Sequence, residues 1–449
     1  MHALVLVLVQ VEVDKMPDSI LHHKRFEDTL TRMHLREEKK GQGILVVNAN
    51  RLFHLNKTAT AFVARIIDGK SDEEIVKELK KKFSVSKDQL TTDLKDIKNT
   101  LLQLTLTPDI DPVQRLSEDV REATVGTLSA PLRMDLALTY RCNNKCTKCY
   151  VDSTREIVEL TTEEWKKVLD KLFEIGIPHV TFTGGEPTLR EDLPKLVEYA
   201  EDLGILTGII SNGRMFKDKK LVDELVTAGI DHFQITIESH DPIVHNQLAG
   251  CTNAWQETVE GIKNIVPTPV YLMTNTTLTP YNVPEIEKTI EFLASLGIDH
   301  FACNGIISSG GGKDVRFALK PREMGDILDR ISNKAEEKKM NFLWYSPTRY
   351  CEFNPIDHGL GMKQCTAGHI AMAIEPDGMA IPCQSTFIPL GNILTEKWKK
   401  IWNHKVTKEL RNKDHLSTTC RKCSQVQFCG GGCPLNYEEK ITVCKDSNS

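Results

Sequence analysis

The sequence predicts an α/β protein: a partial (β/α)6 TIM-like barrel, with a small winged-helix-like module before it and a cysteine-rich domain after it. Three observations carry this. Strand and helix patterns alternate from Pro131 to about residue 345. Over about residues 40–105 a hairpin pattern precedes three amphipathic helices. From about Ser346 the rhythm fades, and cysteines and glycines take over. A chain of 449 residues, at roughly 150 residues per domain, makes about three domains.

In chain order, the apolar run Ala3–Val9 is too short for a membrane span, which needs roughly 18 residues or more. It lacks the basic start and small-residue cleavage site of a signal peptide. Its Val/Leu alternation reads as a strand, and the location implied is the cytoplasm. Residues 44–48 and 51–55 form a hairpin around Ala49-Asn50. Asn56 caps a helix over Thr58–Asp68, which Gly69 stops. Ser71-x-x-Glu74 and Ser86-x-x-Gln89 are capping boxes opening two more helices, with Ile75, Val76 and Leu79 on one face and Leu90, Leu94 and Leu101 on the other. Residues 106–130 are polar and interrupted by Pro108 and Pro112, as a linker would be.

The barrel strands are expected at Leu132–Leu138, Val180–Thr183, Leu206–Ile210, His232–Ile237, Val270–Asn275 and His300–Asn304. Helices fall between them, the first opened by Thr161-x-x-Glu164. Alternation of this kind means parallel strands with right-handed crossovers. Sites in such barrels gather at the C-terminal ends of the strands.

Composition excludes several classes. The chain is 40% hydrophobic and 27% charged, with a net charge of −5. Neither disorder nor an electrostatic attraction to nucleic acid or an anionic membrane follows from those values. The 13 cysteines are unevenly placed, with none before Cys142 and eight from Cys351 onward. With no secretion signal, short-spaced pairs point to metal rather than disulfides.

Just after the first barrel strand comes Cys142-Asn-Asn-Lys-Cys146-Thr-Lys-Cys149. Three thiolates on one loop hold three irons of a cubane and leave the fourth open. Read alone, the loop also suits a zinc site lacking one ligand. The next strand ends add Gly184-Gly185-Glu186, then Ser211-Asn212-Gly213, then Glu238. The two glycines leave bare backbone for a ligand, and Glu186 suits an ammonium group. Ser211 and Asn212 suit a ribose or carboxylate. Near the C-terminus the pattern is Cys365-x12-Gly378-x4-Cys383, then Cys420-x2-Cys423-x5-Cys429-x3-Cys433, then Cys444. One or two structural zinc sites are the alternative use of these thiols.

Residues 131–345 resemble the radical S-adenosylmethionine (SAM) superfamily. The resemblance implies a [4Fe–4S] cluster on Cys142, Cys146 and Cys149, with SAM on the fourth iron. Gly184, Gly185 and Glu186 would hold its methionine amine, and Ser211, Asn212 and Glu238 the rest. When bound, these groups supply a 5′-deoxyadenosyl radical that abstracts hydrogen. One departure is Lys148, which stands where an aromatic residue is common. Residues 346–449 resemble the SPASM extension of that superfamily. This implies two auxiliary [4Fe–4S] clusters, one on Cys420, Cys423, Cys429 and Cys444. The other would use Cys365, Cys383 and Cys433, with Cys351 as candidate fourth ligand. Three clusters in all are therefore expected. In the sulfatase-maturing branch an Asp follows the cysteine matching Cys383. Here it is Gln384, which disfavours formylglycine formation.

Residues 1–110 resemble the PqqD-like recognition element of peptide maturation, on Leu55-Asn56-x-Thr58-Ala59, the Asp68-Gly69 stop and the paired helices; residues 111–130 are the linker. The resemblance implies capture of a precursor peptide's leader by strand addition. A DNA-binding winged helix lacks its basic recognition helix here, and a purely structural cap is the remaining alternative. The whole implies a radical SAM peptide maturase fed by a flavodoxin- or ferredoxin-type low-potential electron donor. Outcomes include a thioether, a carbon–carbon crosslink, epimerisation or excision. A maturase of a tetrapyrrole or other small cofactor is the alternative enzyme, and a non-catalytic zinc or iron–sulfur protein the alternative class. Cys251 and Cys303 are left over as small buried residues, or as a hydrogen-atom donor if Cys303 faces the barrel interior. His245 is expected to order a loop.

Overall fold

The computed structural model describes residues 20–26, 31–38, 41–47, 51–106, 128–151 and 157–436. The strand expected at Ala3–Val9, the turn at Ala49-Asn50, most of the linker and Cys444 lie outside them.

The N-terminal module is an antiparallel sheet in the order β1 (Ile20–Phe26), β2 (Thr31–Glu37), β3 (Gly43–Val47), β4 (Arg51–Leu55). Three helices follow: α1 (Lys57–Ile67), α2 (Asp72–Lys82) and α3 (Lys87–Leu106). The caps expected at Asn56 and Ser71 form, whereas at Ser86 only the serine oxygen accepts, from the Gln89 amide at 3.1 Å, and the Gln89 side chain donates to Asp93 instead of closing a box. Asn56 accepts from the amides of Thr58 and Ala59, and Ser71 and Glu74 close a capping box. Strands β1 and β2 go beyond the predicted hairpin. Met33 and Leu35 pack with Leu45, Val63 and Ala64 on one face of the sheet. The other face, with Arg32, His34 and Arg36, is buried against the barrel.

That docking is tight. Arg36, 1% exposed, pairs with Glu38 at 2.9 Å and donates to the carbonyls of Ala130, Pro131 and Gly176. Arg32 bridges Glu201 and Asp231, and His34 donates to the Gly204 carbonyl. Ile44 and Val46 join the barrel's own hydrophobic cluster beside Leu128, Ala130 and Leu132. All these partners lie at the N-terminal ends of the barrel strands. The linker prolines suggest a detachable unit, but the packing makes the module the barrel's lower cap.

The barrel strands are β5 (Arg133–Thr139), β6 (His179–Gly184), β7 (Leu206–Ser211), β8 (His232–Thr236), β9 (Tyr271–Thr277), β10 (His300–Asn304) and β11 (Asn341–Trp344). All run parallel in sequence order, so the partial barrel has a seventh strand beyond the six expected. Between them lie α4 (Thr162–Ile175), α5 (Leu193–Asp202), α6 (Lys219–Thr227), α7 (Pro242–Ala249), α8 (Ala254–Ile265), α9 (Ile286–Ser295) and α10 (Met324–Lys338). The predicted Thr161–Glu164 box opens α4, and Gly176 at φ 84° ends it. Alternate strand residues face the helices and form the core: Met134, Leu136 and Leu138 on β5, Val180 and Phe182 on β6, Phe233 and Ile235 on β8. The other set faces inward and is largely polar.

The C-terminal domain continues this sheet. Strand β12 (Ala371–Ile374) pairs parallel with β5, and β13 (Met379–Ile381) and β14 (Gly391–Asn392) follow antiparallel. Short helices α11 (Trp398–Trp402), α12 (Lys405–Asn412), α13 (Thr418–Arg421) and α14 (Val426–Cys429) complete it. No helix of the described residues is long and apolar enough to cross a membrane.

Candidate active site

The C-terminal ends of the strands open into a cavity of about 840 Å3. Cys142, Cys146, Cys149, Gly184, Gly185, Ser211, Asn212 and Glu238 line its upper end. Arg133, His179 and Gln234 line its lower end, and Trp344 to Pro347 with Ala371 line the seam between β11 and β12.

The cysteine loop leaves β5 and is gripped on three sides. The amides of Lys145 and Thr147 donate to the carbonyls of Ala249 and Leu248, at the end of α7. Arg214, paired with Glu257, donates to the Asn143 carbonyl and to Asn144. From β10 comes Ser309-Gly310-Gly311-Gly312, which the sequence reading passed over. The Gly311 amide donates to the Cys149 carbonyl at 2.8 Å. A Cβ at Gly310 or Gly311 would stand 2.5 Å from the carbonyl oxygen of Cys149 or Thr147 respectively. The triple glycine after a strand was the signal available. Burial pushes the Cys142 thiol up to about 11 and Cys146 up to about 12, and raises Cys149 as well. Such thiols bind metal by losing protons that the fold alone retains.

The glycines of the second strand end line the cavity and also have a steric role. A Cβ at Gly184 would lie 2.1 Å from the Thr139 carbonyl oxygen, and one at Gly185 2.4 Å from that of Arg141. They let the exit of β5 cross the end of β6. Glu186 is fully buried and does not line the cavity. Its carboxylate accepts from the Thr188 amide and hydroxyl, the Ser211 hydroxyl and the Asn212 amide. It braces the rim from behind. Burial raises its pKa, against the pull of those donors.

Glu238 does reach the cavity. Lys148 pairs with it at 2.5 Å, with 6% and 5% of the two side chains exposed. The Thr277 amide donates to the other carboxylate oxygen at 3.3 Å. His245 accepts from the Glu238 amide at 3.1 Å. Burial, with Lys148 and Arg214 nearby, holds His245 near 4, so the ring is neutral. Its expected ordering role has this contact as its basis.

Cys303 lies on the helix-facing side of β10, fully buried with Phe301 in the main core and away from the cavity. A hydrogen-atom donor facing the barrel interior is therefore ruled out for it. Cys251 follows α7 beside the cysteine loop and does not line the cavity either.

In the C-terminal domain, Cys383 is half-buried just after β13, 3.2 Å from the Thr386 hydroxyl. Cys433 follows Gly430, Gly431 and Gly432, all at positive φ. Burial raises the thiols of Cys433 and Cys351, with Cys383 a lesser neighbour of the first and Glu352, Arg349 and Cys429 lesser neighbours of the second. The Tyr350 amide also donates to the Cys429 sulfur at 3.3 Å. Cys351 thus neighbours a member of the other expected cluster set. Cys420 and Cys423 lie on and after α13, and Cys365 beside Gln364, whose amide donates to the Gln427 carbonyl. Among the described residues no three metal-ligating side chains converge. The donor set itself is all sulfur, which suits iron–sulfur clusters. Gln384 lines the cavity and accepts from the Tyr150 hydroxyl at 2.8 Å, tying this domain to the cysteine loop.

The described residues thus set a cysteine-loop rim above a parallel partial barrel, with thiol-rich loops beside it. Residues 136–293 match the radical SAM superfamily, residues 365–424 the iron–sulfur cluster-binding SPASM domain, and residues 38–106 the coenzyme PQQ synthesis protein D family. The chain thus carries all three domains, in the expected order. It is similar to Streptococcus suis SuiB bound to the precursor peptide SuiA, at 18% identity and a TM-score of 0.66, over 92% of this chain and 96% of that one. SuiB bound to S-adenosylmethionine gives 19% and 0.65 over the same shares. The enzyme anSMEcpe with bound AdoMet and a peptide gives 19% and 0.56, over 70% of this chain and 92% of that one. At these identities the likeness speaks for the fold.

Proposed function

We propose that the chain matures a ribosomally made precursor peptide by radical SAM chemistry in the cytoplasm. The observation that carries this is the junction of two parts. A PqqD-like sheet is locked by Arg32, His34 and Arg36 to one end of a barrel whose other end holds the cysteine loop. Strand β4 pairs only with β3 among the described residues, which leaves an edge for a leader to extend the sheet.

Cys142, Cys146 and Cys149 would hold the SAM-binding [4Fe–4S] cluster. Gly184, Gly185, Ser211, Asn212 and Glu238 would face SAM, with Glu186 holding that wall in place. Two auxiliary clusters would use Cys365, Cys383 and Cys433, and Cys420, Cys423, Cys429 and Cys444. Cys351 is the candidate fourth ligand of the first set. A flavodoxin- or ferredoxin-type protein would supply the electron. Domain limits of 1–110, 131–345 and 346–449 around a 111–130 linker accompany this reading, and the β12–β5 pairing joins the last two.

The test is anaerobic reconstitution. About twelve irons and twelve sulfides per chain are expected, and changing Cys142, Cys146 and Cys149 together to Ala should remove about four of each and end SAM cleavage. Zinc near one equivalent, with no 5′-deoxyadenosine released after reduction, would sink the proposal.

A further inference from the structure

The lower end of the cavity holds polar groups that nothing in the rim chemistry uses. His179 is 1% exposed, lines the cavity, and neither ring nitrogen has a hydrogen-bond partner. Arg133 is its register partner on β5. The Arg133 guanidinium meets Asp135 side-on, Nε to Oδ1 at 3.1 Å and an Nη to Oδ2 at 3.5 Å. Arg133 lines the cavity and Asp135 does not, so the chamber sees the cation. Gln234, on β8, lines it too, and its amide makes no hydrogen bond among the described residues. The Asn275 side-chain carbonyl, one layer up, is also without a partner.

This layer is built. His232 meets His179 edge to face, with centroids 5.1 Å apart. Its ring fills the space over Gly208, where a Cβ would lie 2.0 Å from Nε2. The two rings therefore fix each other. Burial and the neighbouring Arg133 keep both neutral. A neutral imidazole offers one N–H, the free end of Arg133 offers more, and Gln234 adds an amide. Leaving buried donors without partners is unfavourable, so a chamber that keeps them open is shaped for a group that accepts.

We propose that this floor is a carboxylate subsite, in which Arg133 and His179 receive an acidic group of the substrate while the rim above holds SAM. It deepens the maturase reading and rests on it: the peptide would carry an Asp, a Glu or its C-terminus close to the modified residue. A carboxamide satisfies the same donors without the charge, and an ammonium group meets Arg133 head-on. Charge-assisted bonds are roughly twice as strong as neutral ones. Arg133 is thus a specificity-determining residue.

The test uses the full chain loaded with clusters and SAM and left unreduced. Three capped tripeptides, Ala-X-Ala with X as Glu, Gln or Lys, are titrated by saturation-transfer NMR. The Glu peptide should bind about tenfold or more tightly than the other two. Arg133→Gln combined with Asp135→Asn removes both charges without leaving one buried alone, and should erase the preference; iron content reports that this variant folds. Equal binding of the Gln or Lys peptide by the unaltered chain overturns the subsite, as does a preference that survives in the double variant. SAM binding and iron are measured before any peptide is added, so failure there counts against the rim instead.

Discussion

Lys148 shows how one residue reshapes a site. It occupies the position before the third cysteine and spends its charge on Glu238, both side chains being nearly enclosed. Removing one partner of a buried pair leaves the other uncompensated, at a cost of about 3–5 kcal/mol, whereas removing both is much milder. Lys148→Met should therefore lower the melting temperature of the reconstituted chain and weaken SAM binding more than Glu238→Gln does. The double variant should recover part of the stability. Strict additivity of the two changes would show that the pair is not coupled. Other residues show what spacing can and cannot tell. The three cysteines and Glu238 reach the cavity where their strand-end positions put them. Glu186 does not, because a sequence gives its position on the rim but not the four donors that turn its carboxylate inward. Cys303 went the same way: a one-residue change of parity along a strand decides between interior and core.

At the scale of elements, the caps and the barrel alternation were legible, since both are written in local patterns. Strands β1 and β2 were not. Arg32, His34 and Arg36 alternate with Met33 and Leu35, and such a strand reads as exposed unless a second domain covers its charged face. The four-residue β11 was too short to stand out. The covered face of β2 has a measurable consequence. Burial depresses His34 to about 3 and His232 to about 4. The unfolded chain takes up those protons below about 6.5, and the folded chain does not until far lower. Their stabilisation is complete above about pH 6.5 and is lost as the pH falls toward 4, by up to about 3 kcal/mol for His232. Amide exchange reads this locally. Protection of β2, corrected for the intrinsic rate, should fall about fivefold between pH 6.5 and 5.5 for each histidine exposed on opening. His34→Gln should remove its share of that drop. A pH-independent protection would mean that β2 does not open with its histidine.

At the scale of the molecule, the module and the cysteine loop occupy opposite ends of the barrel, a relation that no motif or spacing encodes. It changes what a precursor must look like. The barrel strands are five to seven residues long over β5–β10, or about 17–23 Å at 3.3 Å per residue. From β2 to the edge strand β4 are two further strand spacings, about 10 Å. A leader held on β4 must then cover about 30 Å before its core reaches the rim, which takes about nine extended residues. A precursor with its spacer cut to four residues should bind as tightly as before, by fluorescence anisotropy, and yet remain unmodified by mass spectrometry. Lengthening the spacer should be tolerated, because each doubling of a flexible segment costs only about 0.6 kcal/mol. A proline within the pairing segment should weaken binding itself, by deleting a ladder donor. Cutting the module away is a poor test, since it would uncover the carbonyls that Arg36 satisfies and the core that Ile44 and Val46 complete. Full modification of the short-spacer precursor would place the leader somewhere other than the outer edge of the sheet, and leave the module as a cap whose work is to close the barrel floor beneath His179.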